Sequence, residues 1–193
     1  TIDRTTFNAM GWPVVEELGT SAGLTVVRTN EYDDNGNLTK ATLPVDATTA
    51  NDRVTLYGYD RRNRRTSRTE TVEKDGGDEW TLIEKTAYDN RGLATSVTGY
   101  YISGEDEICT SHRTTAYDAL GRPYRTEVYE VSGAGVASNP QVSNVYYEPG
   151  NQVARSAPAG SALFAATAYD AVGRPLKTFQ AYEPGGFTPD SDP

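Results

Sequence analysis

His112 and Cys109 are the residues whose chemistry first suggests a reactive site. Each is the only residue of its type in the chain, so a cysteine nucleophile would need this histidine as its base. The two lie three positions apart, and side chains three apart on a β-strand point to opposite faces. We therefore expect no catalytic dyad, and a buried free thiol at Cys109. A single histidine also argues against a multi-histidine metal site.

Acidic residues are the second candidate for chemistry. Glycosidase-type catalysis needs two carboxyl groups that converge on one bond, whereas five aspartates here recur in an even row along the chain: Asp33, Asp60, Asp89, Asp118 and Asp170. The loop with Asp75, Asp78 and Glu79 lacks the alternate-ligand spacing of calcium loops, so we predict a plain turn at Gly76-Gly77. We expect no catalytic residues, no cofactor and no metal.

The aspartates belong to a phrase that recurs through the whole chain. An aromatic residue precedes the aspartate, and glycine or asparagine follows three positions after it, which is the mark of a repeat protein. Successive aromatic residues are separated by 25, 27, 29, 29, 29 and 23 positions. The seven copies have these motif residues: Phe7 and Gly11; Tyr32, Asp33 and Gly36; Tyr59, Asp60 and Asn63; Tyr88, Asp89 and Gly92; Tyr117, Asp118, Gly121 and Arg122; Tyr146 and Gly150; Tyr169, Asp170, Gly173 and Arg174.

The phrase predicts a tight hairpin turn. Aspartate bonds backbone amides two residues on, and the fifth position needs a left-handed backbone that glycine or asparagine adopts easily. We expect a type I turn closed by a left-handed glycine bulge. Arg122 and Arg174, directly after the glycine, are expected to pair with Asp118 and Asp170.

Stretches on both sides of each turn are rich in β-branched and aromatic residues, which favour strands. After each turn, the residue three past the glycine is apolar or threonine throughout, and the next one is mostly polar. This alternation predicts a covered first column and a water-facing second column. Between the copies lie polar loops, of which Ser132 to Pro140 is expected to be flexible from its composition.

The sequence therefore predicts an all-β chain of about twelve to fourteen antiparallel strands. Successive hairpins form a meander in one curved, spiralling sheet. The repeat array covers residues 1–182, with the first and sixth copies degenerate, and residues 183–193 are expected to be a linker or a disordered tail. We interpret the chain as an excised piece of a larger protein.

The two strongest copies, Tyr117-Asp118-Ala119-Leu120-Gly121-Arg122-Pro123 and Tyr169-Asp170-Ala171-Val172-Gly173-Arg174-Pro175, resemble the YD repeat of the Rhs family. That family's repeats also occur in insecticidal toxin-complex shell proteins and in teneurins. The resemblance covers the chain from Phe7 to about Phe179. It implies a hollow β-shell that encloses a C-terminal toxin or forms part of a cell-surface receptor. A non-catalytic scaffold in a secreted or cell-surface protein is the function it implies, with the rest of the parent chain and an enclosed toxin domain as partners.

Composition limits the partners. The net charge of -9 repels phosphate backbones, so no nucleic-acid partner is expected. The basic segment Arg61 to Arg65 is interpreted as a solvated turn, with a contact to a polyanion or an acidic glycan as the alternative. No apolar run is long enough to span a bilayer, so no membrane insertion is expected. A mean hydropathy of -0.62 fits a thin sheet better than a thick core.

Two further roles remain open. A carbohydrate-binding or adhesion module would use exposed aromatic side chains, a role proposed for YD repeats, and the candidates are Trp80, Tyr100, Tyr101 and Tyr129. A sheet that ends in two free edges is also expected to associate edge to edge with other copies.

Overall fold

The computed structural model describes residues 2–45, 52–73, 79–147, 150, 153–159 and 161–182. Two of the sequence predictions, the linker or tail over 183–193 and the turn at Gly76-Gly77, lie outside the described residues.

Fourteen β-strands make up the described part of the chain, and they are hydrogen-bonded to one another in chain order, β1 to β14, as one sheet. Every pairing in the described register is antiparallel. This confirms the predicted all-β meander of hairpins; its curvature and spiralling stay predictions. The strands are β1 Ile2–Phe7, β2 Pro13–Thr20, β3 Gly23–Tyr32, β4 Leu38–Leu43, β5 Arg53–Tyr59, β6 Arg65–Glu73, β7 Glu79–Tyr88, β8 Ala94–Ser103, β9 Asp106–Tyr117, β10 Pro123–Val131, β11 Ala137–Tyr147, β12 Val153–Pro158, β13 Leu163–Tyr169 and β14 Pro175–Tyr182.

Two compact units divide the chain: residues 1–86 with 99–108, and residues 87–98 with 109–193. In the first unit, Ala41 on β4 is the buried apolar side chain among the described residues. In the second, Phe164 on β13 and Ala157 on β12 form a small buried cluster, against which Ala166 and Ala181 pack. Each unit is therefore thinly packed, as the low hydropathy predicts. Among the described residues there is no helix long and apolar enough to cross a membrane.

The predicted two-column alternation after each turn is wrong, because a β-bulge interrupts it. Pairing between β3 and β4 steps from Tyr32 with Leu38 to Glu31 with Lys40, so no residue of β3 stands opposite Thr39, three past the glycine, in the register. The same step occurs beside Phe7, Tyr59, Tyr117 and Tyr169. Exposure follows no column, since Leu176 is 68% exposed and Lys40 is half-buried.

The predicted flexible loop after Ser132 is also shorter than expected, because β11 begins at Ala137. A turn with the same backbone hydrogen bonds as the motif turns forms here, with Ser132 in the place of the aspartate. The Gly135 amide donates to the Ser132 carbonyl at 2.9 Å, and the Val136 amide donates to Ser132 Oγ at 3.2 Å. Pro140 then lies at a bulge in β11, where its missing amide proton costs no ladder bond.

Candidate functional site

Six motif turns lie in the described residues, and the Asp or Asn side chain of each bonds to the backbone of its own turn. Asp33 Oδ1 accepts from the amides of Asn35 and Asn37 at 3.0 and 2.8 Å. The same two amides, two and four positions on, donate to the motif side chain in the copies led by Asn8, Asp60, Asp89, Asp118 and Asp170. The row of carboxylates is thus a row of turn-forming groups.

Backbone geometry confirms the predicted turn. In the second copy the Gly36 amide donates to the Asp33 carbonyl, and the Asp33 amide donates to the Asn37 carbonyl, each at 3.0 Å. The fifth position has a left-handed backbone in every copy for which φ is described: Gly11, Gly36, Gly92, Gly121 and Gly173 have φ between 80° and 94°, and Asn63 has 58°. Glycine adopts this conformation without a Cβ clash, and asparagine tolerates it.

The predicted ion pairs within the turns are present. Arg122 Nε donates to Asp118 Oδ2 at 2.6 Å, and Arg174 Nε donates to Asp170 Oδ2 at 2.7 Å. Arg64 pairs with Asp60 in the same way. The Asp118 side chain is only 2% exposed, so its two carboxylate oxygens depend on protein donors rather than water for hydrogen bonds.

Hydrogen bonding lowers the pKa of every motif aspartate. The Arg64 side chain is the main cause at Asp60, where the pKa falls to about 2. At Asp170 the Arg174 amide is the main cause, followed by the Arg174 side chain. At Asp118 burial alone would raise the pKa, but the amide and guanidinium of Arg122 outweigh it and the pKa is lowered. These carboxylates are therefore ionised acceptors at neutral pH and poor general acids.

Five hairpins are each joined to the one before through the motif tyrosine. Tyr32 donates its hydroxyl proton to the carbonyl of Pro13, the second residue after Gly11, at 3.0 Å. We call this contact the tyrosine bridge. It recurs at 2.8 to 2.9 Å from Tyr59 to Leu38, from Tyr117 to Ala94, from Tyr147 to Pro123 and from Tyr169 to Val153.

The sixth copy is led by Tyr147, and the sequence-based choice of Tyr146 is wrong. Tyr147 makes the tyrosine bridge and pairs with Val153, six positions on, as Tyr32 pairs with Leu38. Counting from Tyr147 puts Gly150 fourth and Asn151 in the glycine place, outside the described residues. The Tyr-Tyr doublet followed by Glu-Pro-Gly-Asn allows both alignments, so only the strand pairing distinguishes them.

One register joins the five pairs of neighbouring copies whose pairing the structure describes. The residue four past the motif glycine pairs with the residue three before the next motif tyrosine, which we call the junction pair. The junction pairs are Val15 with Thr29, Lys40 with Leu56, Ser67 with Lys85, Arg125 with Asn144 and, counting from Asn151, Arg155 with Ala166. Repeats of variable length thus meet in an identical way.

The residue directly after the glycine reaches the next turn. Trp12 packs on Gly36 and against Tyr32, with ring centroids 5.4 Å apart. Asn37 donates to Asn63 Oδ1 at 3.0 Å, and Leu93 lies beside Gly121. The sequence singles out this position only at Arg122 and Arg174, because its residue type differs from copy to copy.

His112 and Cys109 have separate partners. His112 Nδ1 lies 2.8 Å from Thr98 Oγ1, and Cys109 Sγ donates to the Ser111 carbonyl at 3.6 Å. Cys109 is half-exposed, so the expected burial of its thiol is wrong.

The four aromatic candidates differ in how their rings and hydroxyls contact neighbouring side chains. Trp80 stacks on Tyr101 with centroids 5.6 Å apart, and Trp80 is 42% exposed. Tyr100 carries the Lys85 ammonium 5.1 Å from its ring centre. Tyr129 is engaged by neighbours, since its hydroxyl donates to Glu127 at 2.6 Å and its ring lies 4.8 Å from that of His112.

A shallow groove of about 360 Å³ on β9 and β10 was not foreseen from the sequence. It is lined by Thr114, Thr115, Ala116, Tyr124, Arg125 and Glu127. The Tyr129 hydroxyl and the Thr114 hydroxyl both donate to Glu127, and Arg125 pairs with it at 2.7 Å. The bond from Tyr129 is the main reason that the pKa of Glu127 is lowered. The groove can therefore offer an ionised carboxylate and a guanidinium to a polar ligand.

Comparison with known proteins does not assign a family. No protein-family model matches the chain, and no curated protein matches it. Among solved structures, the chain is similar to one chain of the Photorhabdus luminescens Tc holotoxin pore, with a TM-score of 0.43 and 9% sequence identity. The match covers 93% of this chain and 12% of the length of that one. A TM-score this low does not establish a common fold.

Proposed function

We propose that the chain is a non-catalytic structural scaffold, a segment of a YD-repeat shell in a secreted or cell-surface protein. The observation that carries this proposal is the constant junction: five pairs of neighbouring copies have the same junction pair. A fixed register with interchangeable side chains suits a wall that is extended by adding repeats. The motif carboxylates are occupied by the backbone of their own turns, which suits a structural role.

The partners that follow from this proposal are the rest of a longer chain and a C-terminal toxin domain enclosed by it. Enclosure is testable in the full-length protein by limited proteolysis. Gly121→Val places a β-branched residue at φ +81°, which should disrupt the turn and expose an enclosed domain to protease. Gly133→Ala is the control, because a Cβ at Gly133 meets nothing within 4 Å. If the C-terminal domain is cleaved equally fast in the unchanged protein, the enclosure proposal is wrong.

A carbohydrate-binding role is the second candidate, and the stacked pair of Trp80 and Tyr101 favours it. Partly exposed aromatic faces stack on sugar rings, because both surfaces are flat and apolar. A glycan array with the unchanged chain and with Trp80→Ala tests this role. Absence of binding at millimolar glycan, or equal binding by Trp80→Ala, would remove the stacked pair as a glycan site.

The repeats are proposed to have no enzymatic activity of their own. His112→Ala provides the test, since His112 is the only histidine in the chain. A hydrolytic activity of the chain that falls with this substitution would overturn the proposal.

A further inference from the structure

The fifth and seventh copies have the same residues after the turn, Gly121-Arg122-Pro123 and Gly173-Arg174-Pro175. In the fifth copy, Arg122 and Pro123 contact the motif tyrosine of the next hairpin, Tyr147. The guanidinium carbon of Arg122 lies 4.6 Å from the centre of the Tyr147 ring, and the Tyr147 hydroxyl donates to the Pro123 carbonyl at 2.8 Å. A guanidinium is attracted to an aromatic face, so Arg122 and Pro123 together hold one tyrosine. Arg122 is then only 14% exposed.

Arg174 is oriented in the same way but is uncovered. Asp170 holds its Nε at 2.7 Å, as Asp118 holds that of Arg122 at 2.6 Å. The Arg174 side chain is nevertheless 79% exposed. Among the described residues no tyrosine hydroxyl donates to the Pro175 carbonyl, and β14 is the last strand of the sheet. We propose that Arg174 and Pro175 form a docking site for the tyrosine of one further hairpin of this repeat type, added along the edge of β14 opposite β13.

The junction pair specifies the chemistry of that hairpin. Lys177, four past Gly173, would face the residue three before the incoming tyrosine. In the described junctions the basic residues at this position, Lys40, Arg125 and Arg155, face uncharged residues, namely Leu56, Asn144 and Ala166. Like charges directly opposite each other destabilise a sheet. The partner is therefore a hairpin strand that ends in tyrosine and has an uncharged residue three positions earlier.

The first hairpin of a second copy does not meet this description. Its motif residue is Phe7, which has no hydroxyl for the Pro175 carbonyl, and Arg4 would face Lys177. Head-to-tail contacts that do not close produce fibres, and this double mismatch disfavours such a contact between Phe7 of one copy and Pro175 of another. The edge-to-edge association expected from the sequence is thus narrowed to a tyrosine-led partner of different sequence. The inference depends on the repeat geometry and is independent of the proposed shell function.

The experiment converts the first hairpin of the full chain into a matching partner. The double variant Arg4→Thr, Phe7→Tyr supplies the hydroxyl and removes the like-charge pair. Sedimentation should show dimers and longer species that increase with concentration, whereas the unchanged chain stays smaller. Adding Arg174→Gln to the double variant should return the mass to that of the unchanged chain, because the guanidinium that covers the tyrosine ring is lost.

Two further variants separate docking from damage to β1. Arg4→Thr with Ile2→Tyr carries a tyrosine on the same strand at the wrong position and should not associate. Phe7→Tyr with Lys177→Thr leaves the Arg4–Glu17 ion pair intact and should associate like the first double variant. Equal mass for the two double variants that carry Phe7→Tyr and for the unchanged chain overturns the proposal. Association that survives Arg174→Gln, or that appears with Ile2→Tyr, also overturns it.

Discussion

At the scale of single residues, the motif tyrosine does more than fill space between hairpins. Its ring lies at the end of one strand while its hydroxyl reaches the preceding copy, so one side chain joins two repeats. Burial is the main reason that the pKa of Tyr147 and that of Tyr59 are raised. Both hydroxyls therefore stay protonated donors across the physiological range.

The adjacent tyrosines of the sixth copy give a direct test of the bridge. Tyr147→Phe should lower the free energy of unfolding by about 1 kcal/mol, because it leaves the Pro123 carbonyl without its donor. Tyr146→Phe is the matched control and should change little, since Tyr146 leads no bridge. Urea denaturation of both variants measures the difference. Equal losses would contradict the assignment of Tyr147 as the motif residue.

At the scale of elements, the sequence was informative where one residue type is required by the backbone. The left-handed fifth position admits glycine or asparagine, so the turns were predictable even at Asn63. The effect of the bulge on the two columns was not predictable in the same way. The register skips one residue, such as Thr39, so the alternation of faces does not continue through this point. The turn at Ser132 was missed because Val131 stands where the motif has an aromatic residue.

Packing against a neighbouring turn should make alanine more destabilising at Gly36 than at Gly11, although both glycines have the same left-handed backbone. Gly11 and Gly36 have φ of 81° and 84°, so alanine is strained at both and should cost about 1 kcal/mol or more. A Cβ at Gly36 would lie 2.7 Å from Trp12 Cζ2, whereas one at Gly11 meets nothing within 4 Å. Gly36→Ala should therefore lower the thermal midpoint further than Gly11→Ala. The reverse order would show that Trp12 does not pack on this turn.

At the scale of the whole molecule, the motif aspartates make stability depend on acid. Their pKa values are lower in the folded chain than the usual value for aspartate. Folding is therefore stabilised above the unfolded pKa, and this stabilisation is lost as the pH falls through the folded pKa.

We expect the urea concentration at the unfolding midpoint to decrease once the pH is lowered below about 4, where the aspartates of the unfolded chain become protonated. The decline should continue to about pH 2, because Asp60 titrates there. Asp60→Asn keeps an oxygen acceptor for the turn amides, as Asn8 does, and should show a shallower decline. A midpoint that is constant over this range would contradict the role of these carboxylates.

The constancy of the junction pair has a practical consequence for protein engineering. Differences in repeat length are absorbed at the opposite end of the hairpins, as at the tight turn between Ser103 and Asp106. A foreign peptide, such as an epitope, spliced into that turn would leave the order of the hairpins unchanged. The fold could thus display inserted sequences along one border while its motif border continues to hold the strands in place.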